Sequence, residues 1–253
     1  MRKFRILRWI FGAIALILSA TLSAFSQQPI VIELFTSEGC SSCPPAEAML
    51  TKLSHQRDTK LARLVLLEEH VTYWNTPSFT DRFSDTAFTD RQSAYVKDLH
   101  LETPYTPQIV IDGKLQTSGN RPATLEEMIL QEAKVPKPAA VTLQLVSTDK
   151  LQVTVDGPVG TKAQVLLAVT EDSLTTEVKG GENQGRVLKH DAVVRSMESL
   201  GSLSNGRLDK TVKIPSKSEW IRPELRAVVL VQDKYSGAML GAATIPLSAA
   251  NAQ

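Results

Sequence analysis

The pattern of apolar and polar positions changes character midway along the chain. In the first half, short apolar runs alternate with stretches of helical spacing. Ile30–Phe35 is apolar at nearly every position, which predicts a strand buried on both faces, as in a parallel sheet. Met49, Leu50 and Leu53 recur at helical spacing over Ala46–Ser54. Pro44 and Pro45 before them suit a first helical turn, where no N–H partner is needed. Leu61–Leu67 reads as a second strand and Tyr73–Asp81 as a loop. Phe88, Ala94, Tyr95 and Leu99 predict a helix over Thr86–Leu99, with Asp85 or Thr86 as N-cap. Gln108–Ile111 and Lys114–Thr117 flank the turn pair Asp112-Gly113, and Thr124 with Glu127 is a capping-box signature for a helix over Leu125–Lys134.

Residues 135–140 are linker-like in composition. Beyond them the helical spacing stops. Val141–Val146, Leu151–Val155, Ala163–Thr170, Arg186–Val194, Leu208–Ile214, Leu225–Asp233 and Ala238–Pro246 alternate or run apolar between turn signals. Short strands at this spacing predict an antiparallel β-sandwich-like domain.

The N-terminus changes the picture of where the chain works. Arg2, Lys3, Arg5 and Arg8 precede an apolar run from Trp9 to Leu18, and Ala24-Phe25-Ser26 fits a small-x-small cleavage site, which predicts a signal peptide over residues 1–26. The predicted organisation is then signal peptide 1–26, first domain 27–134, linker 135–140, C-terminal β-domain 141–248 and tail 249–253. The leader holds four of the 28 basic side chains and none of the 27 acidic ones, so without it the net charge falls from +1 to −3. That balance offers no basic field for nucleic acid. A membrane would be met only through an uncleaved N-terminal segment. The expected location is periplasmic or secreted, where disulfides persist. The oligomeric state is left open.

Candidate chemistry centres on the two cysteines of the chain, Cys40-Ser41-Ser42-Cys43, placed between the first strand and the first helix. A helix N-terminus favours a thiolate. Strand-order rules bring His70 and Trp74, leaving the second strand, and Thr106-Pro107, entering the third, to the same sheet end. The order strand, CxxC, helix, strand, helix, X-Pro strand, strand, helix is the layout of the thioredoxin fold. The expected fold class is therefore an α/β thioredoxin-like domain, a central mixed sheet flanked by helices, followed by the β-sandwich-like domain. By that analogy Thr106-Pro107 is cis and faces the cysteines. Cys40 is expected to be the more exposed sulfur and the nucleophile, with Cys43 resolving. His70 is a candidate for stabilising a thiolate or passing a proton, or else a histidine satisfied by backbone. Glu33 is a candidate proton acceptor for the resolving thiol, or a strand-edge carboxylate. Cys40, Cys43 and His70 also supply three ligands suited to copper or zinc, but no metal or cofactor is assigned. Gly181–Arg186 reads as a tight turn, and Arg195 as the partner of an acid such as Glu182.

The stretch Val31-Ile32-Glu33-Leu34-Phe35-Thr36-Ser37-Glu38-Gly39-Cys40-Ser41-Ser42-Cys43-Pro44-Pro45-Ala46 resembles the signature of a secreted bacterial family, domain-of-unknown-function family 1223. The resemblance continues through His70-Val71-Thr72-Tyr73-Trp74, Phe88-Thr89-Asp90-Arg91-Gln92, Tyr105-Thr106-Pro107-Gln108 and Gly181-Glu182-Asn183-Gln184-Gly185-Arg186. It implies a thioredoxin-like domain with an added C-terminal region and brings no proven activity. The expected function is an exported thiol–disulfide oxidoreductase-like protein whose partners are protein thiols or disulfides. The alternatives are a binding module with a structural disulfide, or a copper- or zinc-handling protein. Copper delivery is disfavoured because no Met-rich or His-rich tract is present.

Overall fold

The computed structural model describes residues 27–59 and 62–248. The expected signal peptide 1–26 and tail 249–253 lie outside the described residues. No helix among the described residues is long and apolar enough to cross a membrane.

In the first half, β1 (Gln28–Thr36) leads to α1 (Pro44–Ser54), β2 (Ala62–His70), α2 (Thr86–Asp98), β3 (Gln108–Ile111), β4 (Leu115–Ser118) and α3 (Pro122–Glu132). β1 pairs parallel with β2 and antiparallel with β3, which pairs antiparallel with β4. The parallel pair needs a crossover, and α1 supplies it. Alternation along the strands sorts their side chains. Ile30, Ile32 and Leu34, with Leu64 and Leu66, pack against Ala46 and Leu50 of α1 and Leu125 of α3. Val31, Val65 and Leu67 pack on the other face against Phe88 of α2. Each of these burials contributes about 1.5–3 kcal/mol, so a one-residue slip, which would turn every side chain over, is excluded. The same alternation sends Thr36, Glu68 and His70 to the α1 face and Glu33 and Glu69 to the α2 face.

The helix starts follow local chemistry. Pro44 and Pro45 open α1, and the Asp85 side chain caps α2 by accepting from Ala87 N at 2.9 Å. α3 begins at Pro122, a turn before the predicted start, so Thr124 lies inside its first turn and the expected capping box does not form.

The second half contains β5 (Ala140–Ser147), β6 (Lys150–Asp156), β7 (Ala163–Glu171), β8 (Leu174–Glu177), β9 (Val187–His190), β10 (Val193–Ser202), β11 (Arg207–Lys213), β12 (Leu225–Asp233) and β13 (Met239–Pro246). The strand expected over Arg186–Val194 is broken in two by a turn at Asp191 and Ala192, where Ala192 has φ 60°.

The expected fold class is overturned. A thioredoxin-like α/β domain followed by a separate sandwich would give two sheets that stop at the linker. Instead one eight-stranded mixed sheet runs β13-β12-β7-β10-β2-β1-β3-β4, with strands from both sides of residues 135–140. The chain is mostly β, with thirteen strands and three α-helices among the described residues. The physical cause is the outer edge of β2, where β10 adds in parallel at Val193↔Glu68 and Glu68 N donates to Ala192 O at 2.8 Å. β7, β12 and β13 then extend the sheet antiparallel. The three-stranded sheet β11-β6-β5 covers one face of that extension through Leu151, Val153, Val165, Leu167, Val229 and Trp220. On the other face Phe88 shares one apolar cluster with Val31 and Val65 from the first half and Leu166, Val228 and Leu230 from the second. The linker is also tied down: Lys137 Nζ lies 2.5 Å from Asp112 Oδ2, and Ala139 N donates to Leu240 O.

Candidate functional site

Cys40 and Cys43 form a disulfide, with Cα atoms 5.5 Å apart, at the junction between the loop after β1 and the start of α1. The carbonyl of Cys43 accepts from Ala46 N and Glu47 N, which locks the second cysteine into the first turn of the helix. Both cysteines are fully buried while Ser41 and Ser42 between them are exposed. The expectation that Cys40 is the more exposed of the two is therefore not met. Other segments close over its sulfur.

Thr106 Oγ1 donates to Cys40 Sγ at 3.3 Å and accepts from Trp74 Nε1 at 2.8 Å. The Thr106-Pro107 peptide is cis, as expected. Gly119 N donates to the Pro107 carbonyl, and a side chain at Gly119 would stand 2.6 Å from the Ala46 side chain and 2.9 Å from that of Pro107. Only glycine allows that approach, which seats Pro107 beside the start of α1.

The remaining cover comes from the second half. The turn over Gly181–Arg186 is present, and its role exceeds that of a tight turn. Glu182 Oε2 accepts from Ser41 N at 3.0 Å and from Ser41 Oγ at 2.6 Å. Asn183 Nδ2 donates to the carbonyls of Cys40 at 2.8 Å and Glu38 at 3.0 Å. Gly181 has φ 71°, and a side chain there would press within 3.0 Å of Gly39 Cα. Because Glu182 holds the CxxC loop, it is not the partner of Arg195. That arginine pairs with Glu171 at 2.7 Å.

His70 and Glu33, the two titratable groups picked from the sequence beside the cysteines, part company. Glu33 lies on the α2 face, where Oε2 accepts from Arg91 Nε at 2.5 Å and Oε1 accepts from the Tyr95 hydroxyl at 2.6 Å. Glu33 is thus neither at a strand edge nor beside the resolving thiol. His70 is on the α1 face, fully buried, with Nδ1 2.8 Å from Asp81 Oδ2 and Nε2 3.0 Å from Glu68 Oε1. Side-chain carboxylates, not backbone, satisfy it. Neither ring nitrogen is aimed at a sulfur, so the three-ligand set of Cys40, Cys43 and His70 is not assembled. Asp81 links His70 to the loop before the disulfide, because its Oδ2 also accepts from Glu38 N at 2.7 Å and Ser37 Oγ at 3.1 Å.

His190, on β9, completes a cluster that the sequence did not reveal. Its Nδ1 is 2.6 Å from Glu68 Oε1 and 3.9 Å from Glu47 Oε2, and its Nε2 is 3.6 Å from Glu38 Oε1. Glu47 also accepts from Thr36 Oγ1 at 2.7 Å. Glu68, His70 and His190 offer donor atoms all within 4.8 Å of one another. Burial alone would neutralise the two imidazoles. Asp81 and Glu68 outweigh it at His70, which is held well above the usual histidine value, and Glu68, Glu38 and Glu47 push His190 up to about 10. Burial raises Glu47 to about 7 against the pull of His190, while Asp81 is drawn down to about 2 by His70 in spite of its burial. One signal for this cluster was available: Glu47 lies four residues after Cys43 on one helix, hence on the same face.

The fold has a solved counterpart. Protein AGR_C_4864 of Agrobacterium tumefaciens is similar at 25% identity and TM-score 0.74, over 91% of this chain and 99% of that one. A domain of the outer membrane lipoprotein Omp28 of Porphyromonas gingivalis matches at 15% identity over 44% of this chain and 88% of that one, with a TM-score of 0.28, below what a shared fold gives. No curated protein matches. A family model described as "Protein of unknown function (DUF1223)" matches residues 31–232.

Proposed function

The chain belongs to that family, and from this premise we propose that it is an exported protein that exchanges thiols and disulfides with the cysteines of other proteins through Cys40 and Cys43. The observation that carries the reading is the setting of Cys40 Sγ, just before the start of α1 and 3.3 Å from the Thr106 hydroxyl that donates to it. A helix N-terminus and a hydroxyl donor both stabilise sulfur as it gains negative charge.

In the reduced protein the Cys40 thiolate attacks one sulfur of a partner disulfide. The partner S–S bond breaks, the far partner cysteine leaves as a thiolate and takes a proton from water, and a mixed disulfide forms. Cys43 loses its proton and attacks Cys40 Sγ, which releases the second partner cysteine and leaves the Cys40–Cys43 bond. Two electrons pass to the partner. An oxidised protein meeting a partner dithiol runs the same steps in reverse. Exposed Ser41 and Ser42 flank the approach, and the turn bearing Glu182 and Asn183 must yield for a partner chain to enter. His70 acts here as a positioning residue, through Asp81 and the loop it holds. Export is supported by the basic and then apolar order of residues 2–18, and N-terminal sequencing of the protein recovered outside the cytoplasm tests it.

The test of exchange is to reduce the protein, follow alkylation against pH, and ask whether Cys43→Ser traps a mixed disulfide with a disulfide-bonded protein. A thiol titrating well below the free-cysteine value of about 8.5, together with a trapped adduct, is expected. Titration at or above that value with no adduct overturns the reading. The complete burial of both sulfurs favours a second reading, a structural disulfide, for which a reduction potential below about −300 mV would speak.

A further inference from the structure

Beneath the disulfide, Glu38, Glu47, Glu68 and Asp81 share one buried space with His70 and His190, and none of the six is more than 2% exposed. We propose that this space is a binding site for one divalent transition-metal ion of the zinc type, held by Glu68 Oε1, His70 Nε2, His190 Nδ1 and Glu47 Oε2.

Three observations carry the proposal. The first is spacing. Glu68 Oε1 lies 3.0 Å from His70 Nε2 and 2.6 Å from His190 Nδ1, and Glu47 Oε2 lies 3.9 Å from His190 Nδ1. The donors of Glu68, His70 and His190 all lie within 4.8 Å of one another. A four-coordinate zinc ion with bonds of about 2.0–2.1 Å sets its donors roughly 3.3 Å apart, so the two rings would ease away from Glu68 Oε1 and Glu47 would close in beside His190 as the fourth ligand. The second is orientation. Each ring presents one nitrogen to the centre and turns the other toward a carboxylate, His70 Nδ1 to Asp81 at 2.8 Å and His190 Nε2 to Glu38 at 3.6 Å. Metal-bound histidines are oriented by outer carboxylates in this way. The third is charge. Glu68 Oε2 is buried with no hydrogen bond, and Glu38 Oε1 and His190 Nε2 have only each other, 3.6 Å apart, so the carboxylates here are poorly compensated. The ion pairs of the four carboxyl groups among the described residues are all with His70 or His190, never with a lysine or arginine. Even with both rings protonated, acids outnumber cations two to one. A dication entering this space displaces the two ring protons to solvent and leaves two carboxylates as direct ligands.

The two imidazole donors select borderline ions over the hard ones that an all-carboxylate site would take. The ion would sit at the seam where β9 and β10 meet β2, and no cysteine would take part. The proposal is therefore independent of thiol exchange.

The test uses the purified full-length protein with its disulfide intact, stripped with a chelator. Titration with Co²⁺ should saturate at one equivalent with the visible absorption of a tetrahedral ion and no thiolate charge-transfer band, and Zn²⁺ should displace it. His190→Gln and Glu47→Gln should each weaken Zn²⁺ binding about 100-fold or more, since outer-shell changes alone cost 10–100-fold. Cys40→Ser/Cys43→Ser should bind as the wild type does. Absence of stoichiometric uptake by the wild-type protein overturns the site. So does undiminished uptake by a variant that circular dichroism shows to be folded, and so does loss of uptake on replacing the cysteines. Should His190→Gln fail to fold, Glu47→Gln and the wild-type cobalt spectrum still decide.

Discussion

Asn183 stands 143 residues from Cys40 along the chain, yet its side-chain amide donates to the Cys40 carbonyl at 2.8 Å. The same Nδ2 donates to Glu38 O at 3.0 Å. One residue of the second half thus clamps both ends of the loop that carries the first cysteine. Asn183→Ala would leave the Glu38 carbonyl without this donor and the Cys40 carbonyl with only Cys43 N, at a cost of about 1–3 kcal/mol. If reduction requires this loop to open locally, each 1.4 kcal/mol of that loss speeds the opening about tenfold. The rate of disulfide reduction by dithiothreitol should rise about tenfold, with a modest fall in thermal midpoint. An unchanged rate would show that the clamp does not limit access.

Thr106 touches the sulfur directly. Thr106→Val keeps the branched shape and removes the hydroxyl that donates to Cys40 Sγ, and it also strips Trp74 Nε1 of its acceptor. The loss of stability should be about 1 kcal/mol. Alkylation of the reduced protein at neutral pH should slow several-fold, because the attacking thiolate loses its donor. Thr106→Ser restores the hydroxyl and should restore the rate, which separates the hydrogen bond from packing.

What could be read from the sequence was local. The apolar run of β1, the CxxC at a helix start, Pro44 and Pro45 in the first turn, Asp85 as a cap and the Asp112-Gly113 turn all depend on neighbours a few residues apart. The joined sheet does not. It hangs on one register, Val193↔Glu68, between segments more than a hundred residues apart, and a polar linker between them looks the same whether its flanks separate or pair. His70 was visible as a candidate, but its setting was not, because His190 arrives from β9 only through that pairing. Glu33 was misplaced for a reason the sequence could have shown. It is three residues from Thr36 on one strand, so the two face opposite sides of the sheet, and Thr36 is the one bonded to Glu47 of α1.

The relocation of Glu33 predicts two unlike glutamine variants. Glu33 is bonded to Arg91 and Tyr95, so Glu33→Gln should destabilise the protein by about 1.5–3 kcal/mol, the range for hydrogen bonds to charged groups. Glu69 is fully buried beside it and makes no hydrogen bond, and burial and the Glu33 charge hold its carboxyl well above the usual range although Arg91 Nε lies 3.6 Å from Oε1. Burial thus disfavours its charge, and Glu69→Gln supplies a neutral group of the same shape. Its stability in urea should lie within about 1 kcal/mol of wild type. Neither substitution should change the alkylation rate of the reduced cysteines. A slowed rate in Glu33→Gln would return that carboxylate to the thiol chemistry.

The linker supplies a pH prediction. Lys137 Nζ is 2.5 Å from Asp112 Oδ2 and 3.4 Å from Glu132 Oε2, almost wholly out of water. Burial raises the Asp112 carboxyl to about 6, with Lys137 pulling the other way. A carboxyl that titrates higher folded than unfolded binds more protons in the native state between those two values. Asp112 therefore lowers stability as pH rises from about 4 through 6, and its full cost is present above 6. Asp112→Asn should flatten that part of the stability curve relative to wild type. Lys137→Met strands the carboxylate, which should cost about 3–5 kcal/mol at pH 8. At pH 5 the carboxyl can take up a proton instead, so the cost should be clearly smaller. Adding Asp112→Asn to Lys137→Met should recover most of the loss at pH 8 and little at pH 5. Equal losses at both pH values in urea unfolding would show that the pair acts through packing of the lysine stem and not through its charge.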